Sequence, residues 1–478
     1  MASPFDNRPP GVTRGQLADG SVPIPASAIT GLTSWWPSTP PAISSLDFVN
    51  ERFMVRGGAT VDFDEVVTFT RSGVGTYFDA DGDIQSAATD VARYLVYDPS
   101  DDTNLGLLVE PARTNTQTYS QDFRDTAAAG ETRPWVRSLS GGSPTVAIAA
   151  DGTFADGSAR WKLSAAKAGS EIAMLYANIA EPDGPYLFSI KVKGGTYGYL
   201  RLNPYRTGRA SDAAVFDLSA GTASVGGTNL RRTGAGIIPL GNDEYRCWVS
   251  FSDGAESAGA AFTIILSDYL GASDTGMAET WVGDGSEYVW IGNAQIESGT
   301  YPSSFIPTTS AQATRGADVA TVASMSGYAA AANRSFAAVV AGRTPAVLPA
   351  ASASYVIRQM DDGTENNRVR LEWYNDAGTG KLRLVVTSGG VAQTAPLVIG
   401  NCAVDTDFKV AYSVEDDDIL ASLDGATAVT DTSATVPSGL TTDRLGRNSG
   451  GTEYFGGTIK EITTFRTLSA EQAEALSV

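Results

Sequence analysis

In Tyr186-Leu187-Phe188-Ser189-Ile190-Lys191-Val192-Lys193, every second residue is apolar, and that period of two is what a strand with one buried face requires. The same alternation sends Leu200 and Leu202 inward and leaves Tyr199, Arg201 and Asn203 on the opposite face. It sends Tyr245, Cys247, Val249 and Phe251 inward and Arg246 and Trp248 outward. Farther on, Val369, Leu371 and Trp373 alternate with Arg370, Glu372 and Tyr374, and Phe408, Val410, Tyr412 and Val414 alternate with Lys409, Ala411 and Ser413. With 51 glycines, 22 prolines and no long helical pattern, the chain reads as all-β: short strands joined by many turns. Its 478 residues suit two or three domains, and 42% apolar content can fill their cores.

The chain has no histidine, which excludes Ser-His-Asp and Cys-His catalysis and any His-ligated metal site. Its two cysteines, Cys247 and Cys402, fall in separate predicted domains and are expected to be small buried hydrophobes rather than a disulfide, consistent with folding in a reducing bacterial cytoplasm. A net charge of −20 argues against binding through nucleic-acid phosphates or to anionic membranes. Residues 1–19 lack the basic start and apolar run of a signal peptide, and no apolar stretch approaches the ~20 residues that span a bilayer. No cofactor motif is present.

Catalytic and metal patterns are weak. Asp79, Asp81, Asp83 and Asp90 fall at positions 1, 3, 5 and 12 of a calcium loop, but Ile84 stands where that loop needs glycine, so an Asp-Gly hairpin turn is expected and no metal site. Glu415-Asp416-Asp417-Asp418 reads as a solvated loop, and Glu372 with Asp376 makes a poor catalytic pair. No catalytic residue is assigned.

Binding candidates are clearer. An outward aromatic beside arginine, asparagine and tyrosine suits a glycan, whose C–H face stacks on a ring while its hydroxyls need fixed polar partners. Tyr199, Arg201, Asn203, Arg246 and Trp248 are therefore candidate sugar-binding residues; the alternative is that Trp248 is covered by a loop or a neighbouring subunit. Tyr288 and Trp290 add two aromatics of undecided facing. Tyr374, Arg447 and Tyr454, with Asn375, Asp376, Arg444 and Asn448, are rim candidates on predicted loops.

Residues 1–45 carry Pro4, Pro9, Pro10, Pro23, Pro25, Pro37, Pro40 and Pro41 and are expected to be extended, ordering against a partner. Ile24, Ile29, Leu32, Trp35 and Trp36 are the candidate anchor contacts; the Trp pair either forms an interface hot spot or packs on the next domain. The stretch Gly106-Leu107-Leu108-Val109-Glu110-Pro111-Ala112-Arg113-Thr114-Asn115 reads as a joint: an apolar strand halted by Pro111, then a turn in which Asn115 caps its own backbone. Glu110 and Arg113 either pair across the joint or both sit in water.

This joint, with Phe69-Thr70-Arg71 and Gly75-Thr76-Tyr77-Phe78-Asp79-Ala80-Asp81-Gly82 before it, resembles a module of tailed-bacteriophage structural proteins. The stretch Trp290-Ile291-Gly292-Asn293-Ala294-Gln295-Ile296-Glu297, running through Tyr301-Pro302-Ser303-Ser304-Phe305 to Thr314-Arg315, resembles the closing strand and exit of the carbohydrate-binding-like sandwich that follows the joint in those fibre proteins. Residues 20–32 are similar to segments near the base of trimeric phage fibres. The C-terminal pattern, ending in Phe455-Gly456-Gly457-Thr458-Ile459 and a short helix with capping-box spacing at Ser469 and Gln472, resembles a laminin-G or concanavalin A-like jelly roll.

The resemblance implies tandem jelly-roll sandwiches: an anchoring segment at 1–45, a small β module and joint at 46–120, a carbohydrate-binding-like sandwich at 121–312 and a laminin-G-like one at 313–478. It implies a non-enzymatic virion fibre or spike, assembled in the bacterial cytoplasm and displayed on the virion surface. Its N-terminus would join capsid or tail proteins, its oligomer would be a homotrimer, and it would bind host surface polysaccharide. A purely structural decoration protein and a polysaccharide depolymerase are the alternatives.

Overall fold

The computed structural model describes residues 42–55, 59–125, 133–140, 145–168, 172–178, 184–205, 214–225, 232–251, 261–267, 282–322, 335–393 and 396–478. The anchor candidates Ile24, Ile29, Leu32, Trp35 and Trp36 lie outside them. The described residues are all-β, with antiparallel pairing and only two short helices, Phe63–Val66 and Ala470–Leu476.

Two six-stranded sheets enclose one core, in which Phe188, Ile190 and Val192 meet Leu200, Leu202 and Phe262. The alternation read from Tyr186–Gly194, Tyr199–Tyr205 and Glu244–Phe251 holds on the core side, Cys247 included. This sandwich opens and closes at one place: Arg113–Asn115 before it pairs with Ala313–Arg315 after it. Asn115 ties the two together, donating to the carbonyls of Ala294 and Ile306 and accepting from the N–H of Gln117 and Ile296.

A second sandwich forms the base. Residues 46–120 and 313–478, expected as separate modules, share both of its sheets. Ser44–Asp47 and Asn104–Leu108 each pair with Thr458–Phe465, and Val67–Thr70 pairs with Val319–Val322. Strands of four or five residues cannot bury a face alone, so they complete a sheet whose other strands come from the far end of the chain. Phe48, Phe53 and Phe69 join the core that also holds Trp373, Phe408, Tyr412 and Phe455. Gly106 is needed here: its φ is +81°, and a Cβ would lie 2.3 Å from the Ile459 carbonyl oxygen. Cys402 is buried in this core and, like Cys247, is a free thiol.

Two local expectations are met. Asp79 and Asp83 close a hairpin between Gly75–Phe78 and Ile84–Ala87, with the Asp79 carboxylate accepting from the N–H groups of Asp81 and Asp83. Ser469 and Gln472 form a reciprocal capping box on the last helix, which packs Leu468 and Ala473 against Ala337 and Phe465.

The joint holds the two sandwiches through buried charge. Glu110 pairs not with Arg113 but with Arg93, at 2.8 Å, and Arg315; it also accepts from the N–H and Oγ of Ser304. Asp318 bridges Arg71 at 3.2 Å and Arg93 at 2.5 Å and accepts the Glu110 N–H. Arg113 turns to Glu297 instead, at 3.6 Å. Arg71 and Arg315 belong to the two outer stretches of the resemblance, and the fold brings both to Glu110 and Asp318.

Candidate functional site

The first sandwich has two outward faces, and the sequence-derived candidates divide between them. Tyr199, Arg201 and Asn203 lie on Tyr199–Tyr205, in one sheet; Arg246 and Trp248 lie on Glu244–Phe251, in the other. They point away from a common core and so cannot line one site.

Tyr199 stays half-exposed, but the rest of both groups is largely covered. Arg201 and Asn203 are 3% and 0% exposed. Trp248 is 6% exposed; its ring lies across Gly236 of the neighbouring strand, where a Cβ would come within 2.8 Å of it. Arg246 binds Ser189 Oγ at 2.8 Å and donates to the carbonyl of Ser303, because the chain leaving Gly283–Ser298 crosses this half of the face. The alternation gave Trp248 its direction correctly, but its burial against the Gly236 strand makes it a packing residue.

The base candidates meet at one edge. Tyr454 is the bridge partner of Arg447 and lines a cleft of about 440 Å³ with Tyr301, Tyr355 and Arg113. Tyr374 is the register partner of Ser354 in the same cleft wall and carries the Arg383 guanidinium 4.0 Å from its ring centre. Apart from Arg447, the charges here neutralise one another: Glu453 holds Arg370 at 2.6 Å, and Glu372, fully buried, holds Arg370 at 2.6 Å and also Arg383. Asp376 takes Lys381, at 2.7 Å, and Arg444 takes Asp361, at 2.8 Å. Asn375 and Asn448 are tied to Pro349 and Glu453. Burial pushes the Tyr301 phenol up to about 12 and raises Tyr355 further, so both stay neutral hydroxyls at any physiological pH.

A cleft of about 320 Å³ between the sandwiches has the same character: its Lys191 is held by Asp156 and Glu244, each at 2.7 Å, and its Arg343 by Asp405, at 2.9 Å.

One place differs. In Gly283–Ser298, Val289 and Ile291 enter the core, so Tyr288 and Trp290 point out. After Asn293, whose φ is +47°, the parity changes: Ala294 and Ile296 enter the core, while Gln295 and Glu297 are covered by the Ser303–Ser304 segment. One strand thus has a covered outer half and an open outer half. On the open half, Trp290 sits opposite Lys162 of Ala159–Lys167 on one side and Lys193 of Tyr186–Gly194 on the other. Lys162 Nζ lies 4.1 Å from the Tyr288 ring centre and the Arg160 guanidinium 4.7 Å from the Trp290 ring centre. Tyr288 and Trp290 meet edge to face at 4.8 Å, and the Trp290 indole N–H donates to Asp151 at 2.7 Å. All six of these side chains remain partly exposed.

The two rings are fixed by neighbours, each with a cation over one face, and their exposed remainder offers a rigid aromatic surface next to positive charge, which is chemistry a stacked sugar can use. The alternation of Tyr288 and Trp290 against Val289 and Ile291 signalled their direction. Their pairing with Lys162 and Lys193 is set by sheet register, which no local pattern carries.

No family model matches the chain, and no curated protein matches it. Among solved structures, it is distantly similar to the full-length tailspike protein 2 of Escherichia coli O157:H7 bacteriophage CAB120, at 12% identity and a TM-score of 0.26, covering 34% of this chain and 23% of the tailspike. A TM-score that low does not establish a common fold.

Proposed function

We propose that this chain is a non-enzymatic fibre or spike component of a tailed-phage virion that adsorbs the particle to host surface glycan. Its N-terminal segment joins it to capsid or tail, and a homotrimer displays it at the virion surface. The reading draws on the resemblance of the joint and closing strand to phage fibre proteins. The observation that carries it is the open Tyr288–Trp290 platform, where two adjacent, partly exposed rings stand with Arg160 and Lys162 against them. Weak single sites would gain avidity from the oligomer and from many copies per particle.

The test is retention of the purified chain on envelope polysaccharide from the bacterium that propagates the particle, with released reducing ends measured in parallel. Trp290→Ala is expected to lower retention about tenfold or more, as loss of a central aromatic anchor does, with the fold intact and no sugar released. Release by the wild type would point to a depolymerase, and absence of retention to a structural decoration protein. Trp248→Ala is expected to act on stability, not on retention through a sugar contact.

A further inference from the structure

We propose that the open half of this face selects an acidic polysaccharide, taking the carboxylate of a uronic acid residue beside Trp290; this rests on the glycan-binding reading above. The chain carries a net charge of −20, yet Arg160 and Lys162 stack on two aromatic rings and Lys193 stands opposite Trp290 in register, with no described carboxylate in salt-bridge reach of any of them. Arg160 donates from Nε to the Asp151 carbonyl and Lys193 to the Asn242 carbonyl, both neutral acceptors, and Lys162 rests on Tyr288. Elsewhere Lys191 and Arg343 in the cleft between the sandwiches and Arg370 and Arg383 at the base edge are each neutralised by a carboxylate, Arg447 beside Tyr454 being the exception. In so acidic a chain, three cations outside salt-bridge reach of any described carboxylate, against one Asp151 carboxylate held by the Trp290 N–H, leave a surface complementary to negative charge.

The geometry narrows the anion. The backbones of Lys162 and Lys193 flank that of Trp290 from the two adjacent strands, each about 5 Å away across the sheet. A pyranose on the part of the indole that Arg160 leaves exposed would place its C5 substituent at the ring edge on the Lys162 side, and Lys193 would reach a carboxylate there by leaving the Asn242 carbonyl. The Arg160 guanidinium is already stacked and bonded through Nε, which leaves less of the fork that a phosphate engages bidentately.

The experiment uses the full chain and three forms of the same host envelope polysaccharide: native, carboxyl-reduced to the neutral polymer, and dephosphorylated. Retention is measured at low and high salt. Expected are retention on the native and dephosphorylated forms, about tenfold weaker retention on the carboxyl-reduced form, and weakening by salt. Lys162→Gln and Lys193→Gln, each with an unchanged unfolding midpoint, are expected to lose about fivefold on the native form and little on the reduced one. Equal, salt-insensitive retention on native and carboxyl-reduced forms overturns the inference while leaving glycan binding standing, as does a loss confined to the dephosphorylated form. No retention on any form overturns both.

Discussion

Replacing Glu110 by alanine is expected to destabilise the chain by about 3–5 kcal/mol, the usual cost of removing one partner from a buried ion pair. Arg93 and Arg315 would be left in the interior facing each other and Arg71, with Asp318 as the remaining carboxylate at the joint's centre. Ser304 would lose the acceptor for both its N–H and its hydroxyl, and with it the tether on the segment that covers Arg246. Urea unfolding checks this; a loss below about 1 kcal/mol would mean that the joint does not depend on the network.

The same residue gives a pH signature. Burial by itself pushes the Glu110 carboxyl up, and the Arg315 and Arg93 guanidiniums, helped by Ser304, overcome that and hold it well below the ordinary glutamate range. A depressed folded value means that its contribution is full above the unfolded value, near 4.3, and is lost as pH falls below it. Wild-type stability should therefore drop steeply below about pH 4, and the Glu110→Gln variant, already less stable at neutral pH, should show a shallower drop over that window.

Arg358→Ala is expected to cost a similar 3–5 kcal/mol. Arg358 holds Asp443 through Nε at 3.0 Å and Nη2 at 2.6 Å, both side chains fully buried, and reaches the Tyr412 hydroxyl in the facing sheet. Alanine there strands a buried carboxylate. The double replacement of Arg358 by Met and Asp443 by Leu should recover most of the loss, because it removes both charges and refills the space. A double variant as unstable as the single one would show that packing, not the pair, carries the effect.

Arg358 also shows where sequence reading stops. Simple alternation along Ser354–Asp361 would set Val356 and Arg358 on one face and Ile357 on the other. A register shift between Val356 and Arg358 makes Arg358 the partner of Leu371, a core residue, and turns its guanidinium inward. The parity change after Asn293 likewise divides one strand into a covered half and an open half. Core faces such as Phe188, Ile190 and Val192 were legible because each follows from its neighbours two residues away. The closing of the base by Ser44–Asp47 and Val67–Thr70 was not, since those pairings join distant parts of the chain. The joint was legible as a joint from Pro111 and Asn115, but the Glu110 partner was not, because Arg315 arrives only after a whole sandwich has been traversed. Trp248 was read correctly as facing outward; its covering by the Gly236 strand depends on tertiary packing.

The central claim is that sugar is held on the open half of one sheet face. Amide hydrogen exchange of the full chain, with and without native envelope polysaccharide, tests it most directly. The account predicts new protection concentrated in Ala159–Lys167, the Lys193 end of Tyr186–Gly194 and the first half of Gly283–Ser298. Protection appearing instead around Tyr374, Arg447 and Tyr454, with none in those three strands, would contradict it and move the binding site to the base.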